Sequence, residues 1–401
     1  MKRKIAILFI FISMASLLSG CWNRRELNEL GIVLGLGIDK ADDEYLVTLQ
    51  VVNPGEVASK TGSGQRTPIV VFQEKGENLF EAIRRVTTNS PRKMYLAHLR
   101  IVIIGEELAS EGISEALDFL SRDHQVRSDF FIAVSKDTRA EHVLKVLTSL
   151  ESIPANKLYD ALETSEKAWA PTFAVTLDDL IADLVSDGIN AKLTGVIIEG
   201  DIQKGEQLVN VQQTKDRTEL KYKGIGVFKG DKLAGWLDED ESKGLTYSLD
   251  EVDSTIVKVK CQDEGKAGIE IIQSKGEIKA QLKNEIPKGT ITVQAEGNVG
   301  DVACRSLDLT KADTLTELEK KVEKDIKSKI EKTVTAAKEK YESDLFGFGE
   351  ALHRSHPDYW KKTKKEWAHR FAEMPVEVKV NVTIRGVGTI VDSPLNKMKD
   401  K

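Results

Sequence analysis

The chain has 401 residues, with 58 Lys and Arg against 64 Asp and Glu and a formal net charge of −6. This mildly acidic balance carries no basic excess of the kind that binds nucleic acid or adheres electrostatically to anionic lipid. The length leaves room for two or three domains, each able to bury a core.

At the start, Lys2, Arg3 and Lys4 precede an apolar run from Ile5 to Met14, which continues in small and apolar residues to Leu18; Leu18-Ser19-Gly20-Cys21 follows. A helix crossing a bilayer core needs about 20 apolar residues. This run is shorter and reads as a cleavable signal over residues 1–20. The tetrad resembles a bacterial lipobox, which implies a diacylglyceryl group on the Cys21 sulfur. Losing the three cations would take the charge from −6 to −9. Two acyl chains hold a protein stably where one does so only marginally, so the expectation is a lipid-anchored protein on the outer face of a membrane. No other apolar stretch is long enough to span one. Of the two remaining cysteines, Cys261 and Cys304, each sits in or beside a strand-like segment. An exported protein can bridge such a pair, but the reading from sequence favours buried thiols.

Gly31–Asp39 (GIVLGLGID) and Tyr45–Val52 (YLVTLQVV) read as paired strands joined by the acidic turn 40–44. Residues 54–68 have the composition of a mobile loop, and Ile69–Phe72 is a short strand. Leu79, Ala82, Ile83 and Val86 then mark a half-buried helix. A buried strand Leu99–Ile104, a helix Leu108–Leu120, a strand Phe130–Val134 and the stripe Ala140, Val143, Leu144, Leu147 follow. Two more helices complete an α+β domain over 22–187: one after Pro154, and one opened by Thr176 and Asp179 in capping-box spacing and ended by Gly188.

Residues 188–250 read as a smaller β-rich domain. Its strands are Lys192–Glu199, Gly224–Lys229 and Lys232–Trp236, the last two joined at Gly230-Asp231. The polar stretch 201–219 is expected to be exposed, and Asp238–Glu241 to be a solvated helix start. The third domain, 251–392, shows the clearest pattern. Alternating segments Thr255–Cys261, Ile269–Leu282 and Thr290–Val299 are punctuated by Gly265, Gly268 and Gly289. A helix from Thr314 to about Phe346, roughly 50 Å long, carries the stripe Leu318, Val322, Ile326, Ile330, with Thr314 and Glu317 as its capping box. Pro357 starts a second helix that places Trp360, Trp367 and Phe371 on one side, and Val376–Ile384 closes the domain as a strand. The order β-β-β-α-α-β predicts an antiparallel sheet with helices on one face. The fold class is therefore α+β and multidomain.

No constellation for chemistry emerges. Gly35-Leu36-Gly37 lacks the third glycine and the helix of a dinucleotide fingerprint. Gly200 and Gly205 have the spacing of a phosphate loop, but Glu206 stands where its lysine must be. His353 and His356 lack a third ligand, and Pro357 breaks the helix that would present both. No nucleophile elbow is present, so no enzyme activity, cofactor or metal is expected. Lys361, Lys362, Lys364 and Lys365 beside Trp360 and Trp367 could meet a lipid headgroup or a partner; the seven-residue tryptophan spacing favours a packed helix with Trp inward and Lys outward.

A series of segments nevertheless resembles one family. CWNRRELNELGIVLGLGID, ENLFEAIRRVTTNSPRKMYLAHLRIVIIGEELASEGISEALDFLSRD, GIGVFKGDKLAGWLDEDESKGL, DLFGFGEALHRSHPDYWKKTKKEW and VEVKVNVTIRGVG together resemble the Ger(x)C family, the lipoprotein C-subunits of spore germinant receptors. The resemblance covers essentially the whole chain after Cys21. It implies a three-domain, non-enzymatic subunit on the outer face of the spore inner membrane. Two integral-membrane partners are implied with it, one permease-like and one with a large soluble part. A solute-binding lipoprotein of a transporter is the competing reading; it would show two doubly wound lobes.

Overall fold

The computed structural model describes residues 3–7, 26–58, 67–215, 217–261, 265–304 and 307–388. Cys21 lies outside them, as does most of the expected loop at 54–68, of which Pro54–Ala58 is a short helix. The first sheet starts from β1 (Leu30–Ala41) and β2 (Glu44–Val52), an antiparallel pair turned at Asp42, whose φ of 57° is a left-handed value that aspartate tolerates. β3 (Ile69–Gly76) pairs with β2. On the other edge of β1 lies the three-residue β4 (Lys93–Tyr95), beside Leu30–Ile32. Next to it β5 (Ile101–Gly105), β6 (Phe131–Ser135) and β7 (Lys192–Glu199) follow in parallel. β8 (Glu219–Lys229) and β9 (Lys232–Leu237) complete the order β3-β2-β1-β5-β6-β7-β8-β9. The β-rich middle segment thus adds its strands to the edge of the first sheet.

Helices cover both faces, because successive side chains of a strand point opposite ways. Val102 and Ile104 of β5 pack with α1 (Leu79–Arg85), α2 (Glu106–Glu111), α3 (Ser114–Arg122) and, beyond them, the helix opened at Thr176. Ile101 and Ile103 pack against α4 (Ala140–Lys145) and α5 (Pro154–Ala168). The expected single helix Leu108–Leu120 is two, broken at Gly112 (φ 139°). Asp231 from the β8–β9 turn reaches into the break: its carbonyl accepts from Ile113 N–H at 3.0 Å and its carboxylate from Ser114 Oγ at 2.6 Å. Helix α6 (Leu177–Val185) has the expected reciprocal Thr176–Asp179 box and ends at Ser186, before Gly188. The 201–219 stretch is not wholly exposed. Buried Asn210 donates to Leu147 O and Thr218 O and accepts from Thr218 N–H.

The second sheet has the order β10-β11-β12-β13: Thr255–Lys260, Lys266–Lys283, Ile286–Val302 and Val376–Gly386. Asn284 and Glu285, both at positive φ, make the β11–β12 turn, whereas Gly268 and Gly289 lie within strands. A Cβ on Gly289 would stand 2.7 Å from the Phe348 ring, so its small size serves packing. The first three strands are antiparallel as expected. The closing strand differs: β13 runs parallel to β12, with Gly289 opposite Val376. The helical excursion between them returns the chain to the level where that stretch of β12 begins, and only a long crossover of this kind permits parallel pairing.

Helix α7 (Glu239–Ser248) has Asp238 and Glu241 as a capping box, yet most of its residues are buried. It crosses α8 (Ala312–Thr335) at Gly244, where a Cβ would meet Lys329 O at 2.4 Å. The stripe Leu318, Val322, Ile326, Ile330 of α8 is buried as expected. The expected box at Thr314 and Glu317 does not open this helix. A turn over Asp308, whose carboxylate accepts from Thr310 N–H at 3.0 Å, starts it earlier, with Lys311 at the cap. After Thr335 the helix widens into a π turn, Ala336–Tyr341, and stops at left-handed Glu342. Cys261 and Cys304 are bonded, their Cα atoms 6.0 Å apart. This corrects the expectation of free thiols: Cys261 follows β10 and Cys304 follows β12, both beyond the start of β11 at Lys266, so no strand separates them and a bridge is within reach.

Candidate functional site at the joint between the sheets

After Glu342 the chain passes between the two sheets, and one carboxylate organises the passage. Asp344 is only 1% exposed. Its Oδ1 accepts from the backbone N–H groups of Phe346 (3.1 Å) and Gly347 (2.9 Å); its Oδ2 accepts from Gly349 N–H (2.9 Å) and Trp367 Nε1 (3.0 Å). Burial pushes the carboxyl up to about 6 while these N–H groups pull the other way. Asn190, just before β7, holds the same residue by its backbone. Asn190 N–H donates to Asp344 O at 2.8 Å, and Asp344 N–H donates to Asn190 Oδ1 at 2.9 Å.

Two glycines make the closest approach. A Cβ on Gly349 would lie 2.6 Å from Gly188 Cα and 2.7 Å from both Trp360 and Trp367. Glu350 N–H donates to Gly188 O at 3.2 Å, Ser186 Oγ donates to Glu350 Oε1 at 2.6 Å, and Lys364 Nζ donates to Asp187 Oδ2 at 2.6 Å. Trp360, on α9 (Pro357–Thr363), and Trp367, on α10 (Trp367–Glu373), meet edge to face with centroids 5.3 Å apart, and Phe371 closes the cluster. A second tie joins the sheets elsewhere. Tyr341 OH donates to Trp236 O at 2.8 Å, and Trp236 Nε1 donates to Glu106 Oε1 at 2.7 Å. The bonds of Asp344 are spent on neighbouring N–H groups, so this carboxylate holds two bodies in one relation.

The residues weighed in the sequence fall as follows. Trp360 and Trp367 are buried in the joint, and Lys361, Lys362 and Lys365 are exposed, Trp inward and Lys outward as expected, although the single helix expected from Pro357 is two, separated by a 3-10 turn at Lys364–Glu366. His353 stacks on Trp360 at 6.0 Å, and His356 Nδ1 meets Ser355 Oγ at 2.9 Å. Among the described residues no three His, Cys, Asp or Glu side chains group as metal ligands. None of their helices is long and apolar enough to cross a membrane. Gly200 and Gly205 pack around Thr218. Asp344, Asn190 and Gly349 carry no sequence pattern that marks a joint, although Asp344 and Gly349 lie in the segment DLFGFGEALHRSHPDYWKKTKKEW.

Comparison with known proteins adds a second line. Residues 23–198 match the family described as spore germination protein N-terminal domain, and residues 223–388 match spore germination B3/GerAC like, C-terminal. Spore germination protein KC of Bacillus subtilis (strain 168) is 30% identical over 100% of both chains. Spore germination protein B3 of the same organism is 24% identical over 96% of this chain and 98% of its own. GerQC of Bacillus cereus is 23% identical over 96% and 99%. The solved GerBC protein superposes with a TM-score of 0.53 at 19% identity, covering 87% of this chain and 96% of that one, which shows a shared fold.

Proposed function

The chain belongs to the spore germination B3/GerAC-like family, and from that membership we propose that it is a non-enzymatic lipoprotein subunit of a spore germinant receptor. The full-length match to spore germination protein KC carries the reading. A transporter's solute-binding protein is not supported: in place of two doubly wound lobes the second sheet is a four-stranded β10-β11-β12-β13 arrangement.

The finer parts of the proposal are these. Cys21 carries a diacylglyceryl anchor after removal of residues 1–20, and the protein works on the outer face of the spore inner membrane beside a permease-like subunit and one with a large soluble part. The basic, apolar and lipobox pattern of the first 21 residues supports this. The interval from Cys21 to Leu30 would then hold the first sheet within about 30 Å of the bilayer. The division into 22–187, 188–250 and 251–392 is kept as a proposal, with the middle part docked by strand addition.

Deleting the gene and challenging spores with a panel of nutrients tests the receptor role. Loss of at least one response, restored by the wild-type chain, is the expected result; unimpaired responses to every nutrient tested would sink it. Cys21→Ala tests the anchor separately. Mature protein that stays in salt-washed membranes when the partner subunits are absent would refute lipidation as the attachment.

A further inference from the structure

β13 lies at the edge of the smaller sheet, and its outer side is sealed along only part of its length. Gly289 N–H donates to Pro375 O at 2.9 Å, so in this parallel pairing the odd-numbered residues face β12. The backbone groups of Val376, Val378, Val380, Val382 and Ile384 face away. Helix α8 runs beside them. Glu319 Oε1 accepts from Ile384 N–H at 2.9 Å and Glu323 Oε1 from Val382 N–H at 3.1 Å.

Four residues of helix rise about 6 Å and two residues of strand about 6.6 Å, so the same row brings position 327 to Val380 and position 331 to Val378. The seal fails there. Lys327 has donors only and cannot accept from an amide, and Glu331 lies 3.8 Å from it as its ion-pair partner. A groove of about 780 Å³ opens over Val376–Val380, lined by Lys320, Glu323, Lys324, Lys327 and Glu331. Lys320 and Lys324 are exposed and make no ion pair among the described residues. Glu377 is already held by Lys288 and Lys379.

An edge with outward amides and carbonyls takes up an extended chain readily. We infer that the Val376–Val380 half of β13 docks an extended acidic segment of a partner polypeptide, which adds a fifth strand to the smaller sheet. Charge selects the occupant. Symmetric antiparallel pairing of two copies about Val378 would bring the lysines of both together, whereas carboxylates on the incoming strand would meet Lys320 and Lys324. The inference rests on the β13 edge alone and stands or falls independently of the receptor assignment.

The test uses the full chain extracted from membranes in detergent micelles, with two fluorescein-labelled decapeptides of alternating Val-Glu or Val-Lys. Val-Glu should give saturable anisotropy and slow amide exchange at Val378 and Val380, while Val-Lys should not. The double substitution Lys320→Glu/Lys324→Glu should weaken Val-Glu binding about tenfold or more. Lys320→Gln/Lys324→Gln, which only removes charge, should weaken it less and serves if the reversal fails to fold. Equal binding of both peptides, binding by neither, indifference to both double substitutions, protection at another segment, or a dimer that buries β13 would each overturn the inference.

Discussion

Glu319 on the long helix accepts a hydrogen bond from the backbone N–H of Ile384 at 2.9 Å, and one turn later Glu323 does the same for Val382. These two carboxylates do for the end of the sheet what a further strand would do. Glu323 lies off the apolar stripe, so the sequence expects its replacement by lysine to be nearly neutral; the structure gives it a partner. Glu323→Lys should cost about 1–2 kcal/mol, the loss of an acceptor for a half-covered amide. Ile326→Asp should cost several kcal/mol by burying an unpaired carboxylate. Thermal unfolding of the two variants beside wild type decides both; a Glu323→Lys melt superimposable on wild type would show that the edge needs no seal.

The Asp344 carboxyl, near 6 when folded against an ordinary 3.8, binds its proton more tightly in the folded chain. Its contribution is fully present below about pH 3.8 and is lost as pH rises through 6, an effect of about 3 kcal/mol. Asp344→Asn turns a donor toward donors and should be destabilising, with a gap from wild type that narrows between pH 4 and 7. Urea unfolding across that range measures the gap. If it widens with pH, the ionised carboxylate is the form the joint prefers.

Gly349→Ala should destabilise by about 2–4 kcal/mol, because backbone of Gly188 and two tryptophan rings occupy the space a Cβ needs. Trp360 and Trp367 should report the change by altered emission. Unchanged emission and stability would mean that the joint is looser than these distances imply.

Reduction of the Cys261–Cys304 bond, or Cys261→Ala with Cys304→Ala, should lower stability by about 2–4 kcal/mol through the freedom returned to the unfolded chain. Differential scanning calorimetry with and without reductant checks this. A reductant effect that persists in the double alanine variant would assign it to something other than this bond.

Local signals were readable from the residues and relations across the fold were not. The Thr176–Asp179 box and the stripe through Ile326 depend on neighbours three and four apart, and both appear where expected. The direction of β13 depends on where three short helices deliver the chain, which alternation in VEVKVNVTI does not encode. Helical spacing continues on both sides of Gly112, which hides the break; the residue that exploits it, Asp231, is distant in sequence. The joint shows the same limit most plainly. Asp344 is one acidic residue in a short loop, and its four N–H partners become visible as a set only after the chain has turned back on itself.

The parallel placement of β13 also sets a timetable. β12 spans Ile286–Val302, but the strand that covers its outer side from Gly289 to Asn298 is made only after α8 and the three helices that follow. Synthesis from the N-terminus therefore completes the first sheet early and leaves the outer edge of β12, whose other edge is already paired with β11, open until Val376–Gly386 has been made. A product truncated before Val376 would be caught in that interval, its first sheet formed and the outer edge of β12 still open. Such a fragment should clump by strand pairing rather than remain as a soluble half-protein, so an early stop codon late in the gene is no gentler than one near its start.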